Sequence, residues 1–286
     1  MHNNDFSKLK TLTVTIDNNQ IAEIKLNRPL SFNAMNSDFW LELPAVIEEL
    51  DSQGNVRVII LCAEGKHFTA GMDLDVFTNM DNDSQLEAAR AAEQQRRWIL
   101  SLQDTFSALE RARVPTISAI HGACIGGGVD MICATDIRLC TENAFFNIKE
   151  TELGITADVG TLQRILHVMP SGLARELAYT SRNLSASEAM QCGFVNNIYE
   201  SQQALIAAAY ALAKDIAKHS PMAVNGVKQM LNYSRDHSVS DSLDYMATWQ
   251  AGMLQSADTQ EAMIASKEKR QATFDNLTPL FSADSD

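Results

Sequence analysis

The 286-residue sequence has no excess of positive charge. Its 23 lysines and arginines stand against 36 aspartates and glutamates, a formal net charge of -13. Bulk charge of this sign makes the chain a poor candidate for binding nucleic acid or an anionic membrane, while a local basic patch could still hold a phosphorylated ligand. The five cysteines, Cys62, Cys124, Cys133, Cys140 and Cys192, are odd in number and form no CxxC pair. That argues against a disulfide framework and a thiolate zinc site. Most lie among apolar neighbours, as small core residues of a reduced protein do. The six histidines show no HxxxH or HxH spacing, so no metal is expected. Uncharged runs are short: Val114 to Val129, with His121 and four glycines in it, falls short of a membrane span. Met1 to Lys10 is polar and shows no secretory signature, and Ser282 to Asp286 carries no peroxisomal tripeptide. A cytoplasmic, bacterial-type location is therefore expected.

What remains is ordinary globular composition, 45% apolar and 21% charged. Thr11 to Ile16 and Ile21 to Leu26 alternate about the turn Asp17-Asn18-Asn19-Gln20, which predicts a β-hairpin. Ser37 is the expected N-cap of an amphipathic helix to about Leu50, with Pro44 a local irregularity. Val56 to Cys62 predicts a buried strand, and Met80 to Ser84 a polar loop. Leu86 to Arg113 has a long helical pattern with room for one break, and Thr116 to Ile120 is a short strand. A short helix, Val129 to Ala134, is expected next, then strands at Ile137 to Cys140 and Ala144 to Ile148. Ser185 and Glu188 have capping-box spacing, and Gly193 stops that helix. Beyond Glu200 the pattern is helical: Leu205, Ala208, Leu212 and Ile216 share a face, and Ser220-Pro221 opens another helix. Helical patterns continue over Val239 to Leu254 and Asp258 to Arg270. One α/β core, residues 1–200, followed by a helical region, 201–286, fits this order.

Chemistry is concentrated around two glycine-bearing segments. Gly122 through Gly126-Gly127-Gly128 lies between a strand and a helix, but has neither dinucleotide-binding nor P-loop spacing. Such a triplet either packs a tight strand-helix turn or presents bare N–H groups to an oxyanion. Phe68-Thr69-Ala70-Gly71-Met72-Asp73-Leu74 is a second small-residue loop of the same kind. Three carboxylates follow: Asp130 just past the triplet, Glu150 after an apolar strand, and Asp158 before Thr161-Leu162-Gln163. Taken singly, each fits a plain structural role: acid at a helix N-terminus, loop carboxylate, helix cap. His67 and His121 have no serine or cysteine nucleophile placed beside them and fit structural roles.

Together the segments resemble the crotonase, or enoyl-CoA hydratase/isomerase, superfamily. The matching pieces run in family order over roughly residues 12 to 275. They are Leu26-Asn27-Arg28-Pro29 with Asn33-Ala34-Met35, then Phe68 to Leu74, then His121-Gly122 to Gly128 with Asp136-Ile137-Arg138. Phe146 to Glu150 with Leu153-Gly154, and Ser256-Ala257-Asp258 to Lys269-Arg270 with Phe274, complete the set. Asp130, Lys149-Glu150 and Ala157-Asp158-Val159-Gly160-Thr161-Leu162-Gln163-Arg164 are similar to the Δ3,5-Δ2,4-dienoyl-CoA isomerase branch, as are Tyr233 to Val239 and Ser242 to Trp249. A typical hydratase has glutamate at both the Asp130 and Glu150 positions and usually no acid at the Asp158 position.

The resemblance implies a ClpP-like β-β-α spiral with two roughly perpendicular sheets, and a helical C-terminal region that builds a homo-trimer or a dimer of trimers. It implies an acyl-CoA thioester substrate and the conversion of 3,5-dienoyl-CoA to 2,4-dienoyl-CoA in fatty-acid β-oxidation, with no separate cofactor. By family position the N–H groups of Met72 and Gly127 form the oxyanion hole, and Ala34, Ala70, Gly71, Asp73 and Leu74 bind the CoA ester. Lys267 or Lys269 would meet the nucleotide end. Glu150 is the base at C2, Asp158 the acid at C6, and Asp130 an orienting, electrostatic third member. Asp130 is one methylene shorter than glutamate and reaches about 1.5 Å less far, which weakens a two-carboxylate grip on water. Asp158 is expected in a dry site that keeps it protonated. The alternatives are a 2-enoyl-CoA hydratase of the same superfamily and a non-catalytic or RNA-associated scaffold. The intact carboxylates argue against the scaffold and the charge against RNA; a serine hydrolase lacks its G-x-S-x-G motif.

Overall fold

The structure is a computed structural model that describes residues 6–78 and 86–280. The loop expected at Met80 to Ser84 and the tail Ser282 to Asp286 lie outside the described residues. The hairpin forms as expected, β1 (Leu12–Ile16) antiparallel to β2 (Ile21–Leu26). Asp17 locks its turn by accepting from the N–H groups of Asn19 at 2.8 Å and Ile21 at 3.0 Å. Helix α1 (Ser37–Ser52) is capped by Asn36 rather than Ser37, because the extended backbone at Asn36 aims its side-chain oxygen at the Phe39 N–H. Pro44 sits inside α1 without ending it, since Phe39, Leu43, Val46, Ile47 and Leu50 bury one continuous face.

Three turns of the chain then repeat one plan. In the first, β3 (Val58–Ala63) leads to Thr69, which bridges to Cys124, then to α2 (Leu74–Thr78) and α3 (Ala88–Arg111). In the second, β4 (Thr116–Ile120) and β5 (Ala123–Ile125) lead into α4 (Gly127–Cys133). In the third, β6 (Ile137–Thr141) and β7 (Phe145–Asn147) lead to α5 (Thr161–Arg164) and α6 (Ser171–Thr180). Helix α3 is unbroken, and α4 starts at Gly127, two residues before the expected Val129. Then come β8 (Leu184–Ser185), α7 (Ala186–Gln191) with its Ser185–Glu188 capping box complete, and β9 (Asn197–Tyr199).

The strands form two sheets: six strands in the order β1-β2-β3-β4-β6-β9, parallel from β2 onward, and three in the order β5-β7-β8. The inner strands β3 and β4 of the large sheet are buried on both sides, as strands of parallel sheets are. Along β3, Ile59, Leu61 and Ala63 enter the core under α1 and α3, while Val58, Ile60 and Cys62 enter a second core. That second core is closed by α8 (Gln202–Ala217) through Leu205, Ala209 and Ala213. The fully buried stripe is Leu205-Ala209-Ala213, where small alanines let the helix lie close to the sheet, and Leu212 and Ile216 of the expected face pack beside it. Helices α9 (Pro221–Tyr233), α10 (Val239–Met253) and α11 (Ala257–Glu268) complete the described elements. The segment after α11 returns to the body: Arg57 donates to the Phe274 carbonyl at 2.7 Å and Arg113 to that of Thr278 at 2.9 Å.

Phe39, Trp40 and Phe106 make an aromatic knot between α1 and α3, with ring centroids 5.3–6.4 Å apart. Phe106 is fully buried there. Phe106→Ala is expected to cost about 3–5 kcal/mol in urea unfolding, with the m-value unchanged. A loss under about 1 kcal/mol would mean the knot is not packed as described.

Candidate active site

The two glycine-bearing segments meet. Thr69 pairs with Cys124 as a parallel bridge, its N–H donating to the Ala123 carbonyl at 3.0 Å while its own carbonyl accepts from Ile125 at 3.2 Å. Met72 pairs on its other side with Met35: the Met35 N–H donates to the Gly71 carbonyl at 2.8 Å, and the Asp73 N–H to the Met35 carbonyl at 3.1 Å. The pairing uses the groups flanking Met72 and leaves its own N–H free. Among the described residues, the N–H groups of Met72 and Gly127 have no hydrogen-bond acceptor. A Cβ built on Gly127 would lie 3.8 Å from the Met72 nitrogen, so the two donors share one small space. Gly71 makes this approach possible: its φ is +88°, and a Cβ there would stand 2.7 Å from the Ile125 carbonyl oxygen.

The triplet divides its labour. Gly126 is the N-cap of α4, Gly127 offers the free N–H, and Gly128 packs. A side chain at Gly128 would meet Thr69 Cγ2 at 2.4 Å. The packing and oxyanion readings of the sequence therefore apply to different glycines. An Arg28 clip holds the neighbouring loop, its guanidinium donating to the Ala34 carbonyl and pairing with Asp73 at 3.1 Å. Ala34 and Asp73 are half-buried, Gly71 is buried, and Ala70 and Leu74 are exposed.

Of the carboxylates, Glu150 stands directly against Gly126. Glu150 opens a 3-10 turn after β7, is 8% exposed, and brings Oε1 within 3.3 Å of a Cβ position on Gly126. Asp130, on α4, is completely buried; its Oδ1 accepts from the Thr161 N–H at 2.5 Å. Glu150 Oε2 and Asp130 Oδ2 are buried with no hydrogen-bond partner among the described residues. Burial pushes the Glu150 carboxyl up to about 7, and the Asp130 charge adds to the push. Burial likewise pushes Asp130 up to about 6, with the Thr161 contacts opposing and the Asp158 charge assisting. Asp158 is raised in the same direction by partial burial, but the residue as a whole remains exposed. Glu150 and Asp130 thus sit in a dry setting, whereas Asp158, for which a dry site is expected, is an exposed residue between the buried Ala157 and Val159.

Asp158 is not a helix cap. Gly160 occupies the N-cap position of α5 and makes no side-chain bond, and the Thr161 N–H is taken by Asp130. Sequence reasoning did not single out Gln103, whose side chain donates to the Asp158 carbonyl at 2.7 Å, or Glu110, which pairs with Arg164 at 2.8 Å. Both are ordinary polar residues of a helix, and no local pattern marks them. His121 is buried against the Gly65 carbonyl at 2.9 Å, and His67 Nδ1 accepts from the Ala123 N–H at 3.1 Å; both hold backbone. Lys267 lies in the last turn of α11 and Lys269 is its left-handed C-cap. No group of three or more histidines, cysteines or acids among the described residues is placed to hold a metal ion.

The pattern of the enoyl-CoA hydratase/isomerase family matches residues 17–277. The mitochondrial Δ(3,5)-Δ(2,4)-dienoyl-CoA isomerase of Mus musculus is 44% identical over 273 residues, covering 94% of this chain and 84% of that protein. The peroxisomal Δ(3,5)-Δ(2,4)-dienoyl-CoA isomerase of Arabidopsis thaliana is 44% identical over 272 residues, covering 94% of this chain and 98% of that one. Among solved structures, an enoyl-CoA hydratase from Bacillus anthracis superposes with a TM-score of 0.85 at 28% identity, covering 93% of this chain and 99% of that chain.

The raised Glu150 carboxyl fixes the sign of a pH effect on stability. Its ordinary value is 4.5 and its folded value about 7, so the folded chain binds this proton more tightly than the unfolded one. That contribution is complete below the unfolded value and is lost as pH rises through the folded one. Glu150→Gln cannot ionise and escapes the loss. Urea unfolding should show the variant gaining on wild type by roughly 2–3 kcal/mol between about pH 4.5 and 8. A gap that does not change with pH would contradict the burial of an ionisable Glu150.

Proposed function

The chain belongs to the enoyl-CoA hydratase/isomerase family, and we propose that it isomerises 3,5-dienoyl-CoA to 2,4-dienoyl-CoA in fatty-acid β-oxidation. The observation that carries this reading is the pairing of two unengaged N–H groups, Met72 and Gly127, with three carboxylates that feel one another's charge. The thioester oxygen takes hydrogen bonds from both N–H groups, which stabilise the negative charge that develops there. Glu150, ionised, removes a proton from C2. The C2–H electron pair becomes part of a dienolate spread from the thioester oxygen to C6. Protonation at C6 by Asp158 shifts the double bonds from C3 and C5 to C2 and C4. C2 and C6 are four bonds apart, so two acids serve the ends better than one.

Asp130 holds Thr161 and so places the segment that carries Asp158; its charge also raises the Glu150 carboxyl. With Oδ1 committed to Thr161, Asp130 has one oxygen left, which disfavours the two-carboxylate water grip of a 2-enoyl-CoA hydratase. An acyl chain lying over Asp158 excludes water and pushes its carboxyl further in the direction it already leans. The acyl-CoA is held by Ala34, Ala70, Gly71, Asp73 and Leu74, with Lys267 or Lys269 at its nucleotide end, and no separate cofactor takes part.

Residues 1–200 are the acyl-CoA-binding core and 201–286 the assembly region, with α8 also serving the core. Val227, Leu231, Val239 and Leu243 are exposed apolar residues on α9 and α10, which supports a homo-trimer or homo-hexamer. Light scattering on the purified protein should give three or six times 31.5 kDa. A monomer at micromolar concentration would overturn the assembly. Buried free thiols at Cys62, Cys124, Cys133 and Cys140 support a reducing compartment, the cytoplasm of a bacterial-type cell in this reading. Among the described residues no helix is long and apolar enough to cross a membrane.

The test pairs two substrates. Wild-type protein should convert 3,5-dienoyl-CoA rapidly, seen as the 2,4-dienoyl chromophore, and hydrate 2-enoyl-CoA slowly. Isomerisation should rise with pH as Glu150 ionises near 7. Asp158→Asn should lower kcat at least ~100-fold while leaving acyl-CoA affinity within about threefold. Fast hydration without isomerisation, or full turnover in the variant, would replace this reading with the hydratase.

A further inference from the structure

The side chain of Asp158 is exposed, so its position depends on how its backbone is fastened. Three fastenings are visible. Gln103 on α3 donates to the Asp158 carbonyl, and Thr161 donates to Asp130. The third is Arg164. Its guanidinium folds back over Gly160, where a Cβ would lie 1.8 Å from Nη1, and Nη1 reaches the Val159 carbonyl at 3.5 Å. Gly160 has a φ of +130°, which L side chains rarely adopt, so the segment is shaped to receive that guanidinium.

The far side of the guanidinium is held by α3. Arg164 Nη2 donates to Glu110 Oε2 at 2.8 Å and to Ser107 Oγ at 3.0 Å. The second oxygen of Glu110 accepts from Arg235 Nη1 at 2.5 Å, and Asn232 donates to the Glu110 main-chain carbonyl at 3.2 Å. Arg235 belongs to the connection between α9 and α10. One carboxylate therefore joins the acid-bearing segment to the C-terminal helices. Two guanidiniums hold the Glu110 carboxyl below its ordinary value against the opposing effect of burial, so it stays ionised across the working range. The tie borders a cleft of about 380 Å³ rather than the hydrophobic core.

We propose that Glu110 is a positioning residue for the reaction: through Arg164 it sets where Asp158 stands, and through Arg235 it makes that placement depend on the C-terminal helices. The inference rests on the assignment of Asp158 as the C6 acid. Without Glu110, two guanidiniums face each other uncompensated, and Arg164 is pushed off the Val159–Gly160 backbone. Misplacing the acid slows proton delivery to C6 and leaves proton removal at C2 alone. The dienolate then returns to substrate more often than it goes forward.

Glu110→Gln and Arg235→Gln test this, the second at a partly exposed side chain whose loss leaves the core intact. Each is assayed with 3,5-dienoyl-CoA in D2O beside wild type. Recovered substrate is analysed for deuterium at C2, and product formation gives kcat and KM. We expect kcat to fall ~10–100-fold in Glu110→Gln and less in Arg235→Gln, with KM within about threefold. The ratio of C2 deuterium uptake to product should rise in both, as it should in Asp158→Asn. Unchanged kcat in Glu110→Gln, or uptake and product falling together as in a damaged fold, would overturn the inference. A wild-type enzyme that fails to isomerise would remove both this inference and the assignment of Asp158, an outcome visible before any variant is made.

Discussion

Two stretches of backbone, Thr69–Met72 and Cys124–Gly127, have to run against each other with almost nothing between them. The rest of the site depends on that constraint. The Thr69–Cys124 bridge fixes the approach, and the Met35–Met72 bridge on the outer side engages Gly71 and Asp73 rather than Met72. The result is a pair of N–H groups that the fold leaves without acceptors, close together and beside buried carboxylates. In the proposed reaction these two N–H groups receive the thioester oxygen. The surrounding sheet, with β3 buried on both faces, supplies the rigidity that holds the segments in place.

The carboxylates extend the same logic. Asp130 and Glu150 each keep one buried oxygen without a partner, and each is pushed toward its neutral form by the loss of water. The Asp130 charge adds to the rise at Glu150, so the two do not ionise independently. Asp130 relieves part of this through the Thr161 N–H, and that same bond draws the Asp158 segment toward α4. One hydrogen bond thus serves electrostatics and placement at once. Arg164 and Glu110 continue the chain of contacts outward, from a four-residue helix to α3 and on to the C-terminal helices.

Much of this was legible in the sequence, for identifiable reasons. The hairpin, β3 and the Ser185–Glu188 capping box rest on alternation and on local hydrogen bonds, which leave their mark on neighbouring residues. Met72, Gly127, Asp130, Glu150 and Asp158 came from family motifs; composition and spacing alone left each of them a bland alternative. The misses are tertiary in origin. Asn36 displaced Ser37 as a cap because backbone direction, not residue type, decides between two good capping residues. On α8 the expected Leu205, Leu212 and Ile216 do pack on the sheet, but Ala209 and Ala213 take the closest approach, which only the small size of alanine allows. The open setting of Asp158, and its fastening by Gln103 and Glu110, involve partners 48 to 55 residues away and have no local signature.

The order of the large sheet bears on how the chain comes together. Beyond the first hairpin, each pairing joins strands separated by long excursions: Ile21 meets Val58, and Ile59 meets Thr116. Such non-local closure makes folding slow, because entropy is lost before contacts repay it. Yet the strands lie side by side in the order of synthesis, β1 through β9, with only the small-sheet strands left aside. Each new strand finds its place on the growing edge left by the strands before it, and none has to be inserted between two already joined. A chain emerging from the ribosome can therefore lay down this sheet from one side to the other, while its C-terminal helices are still to come.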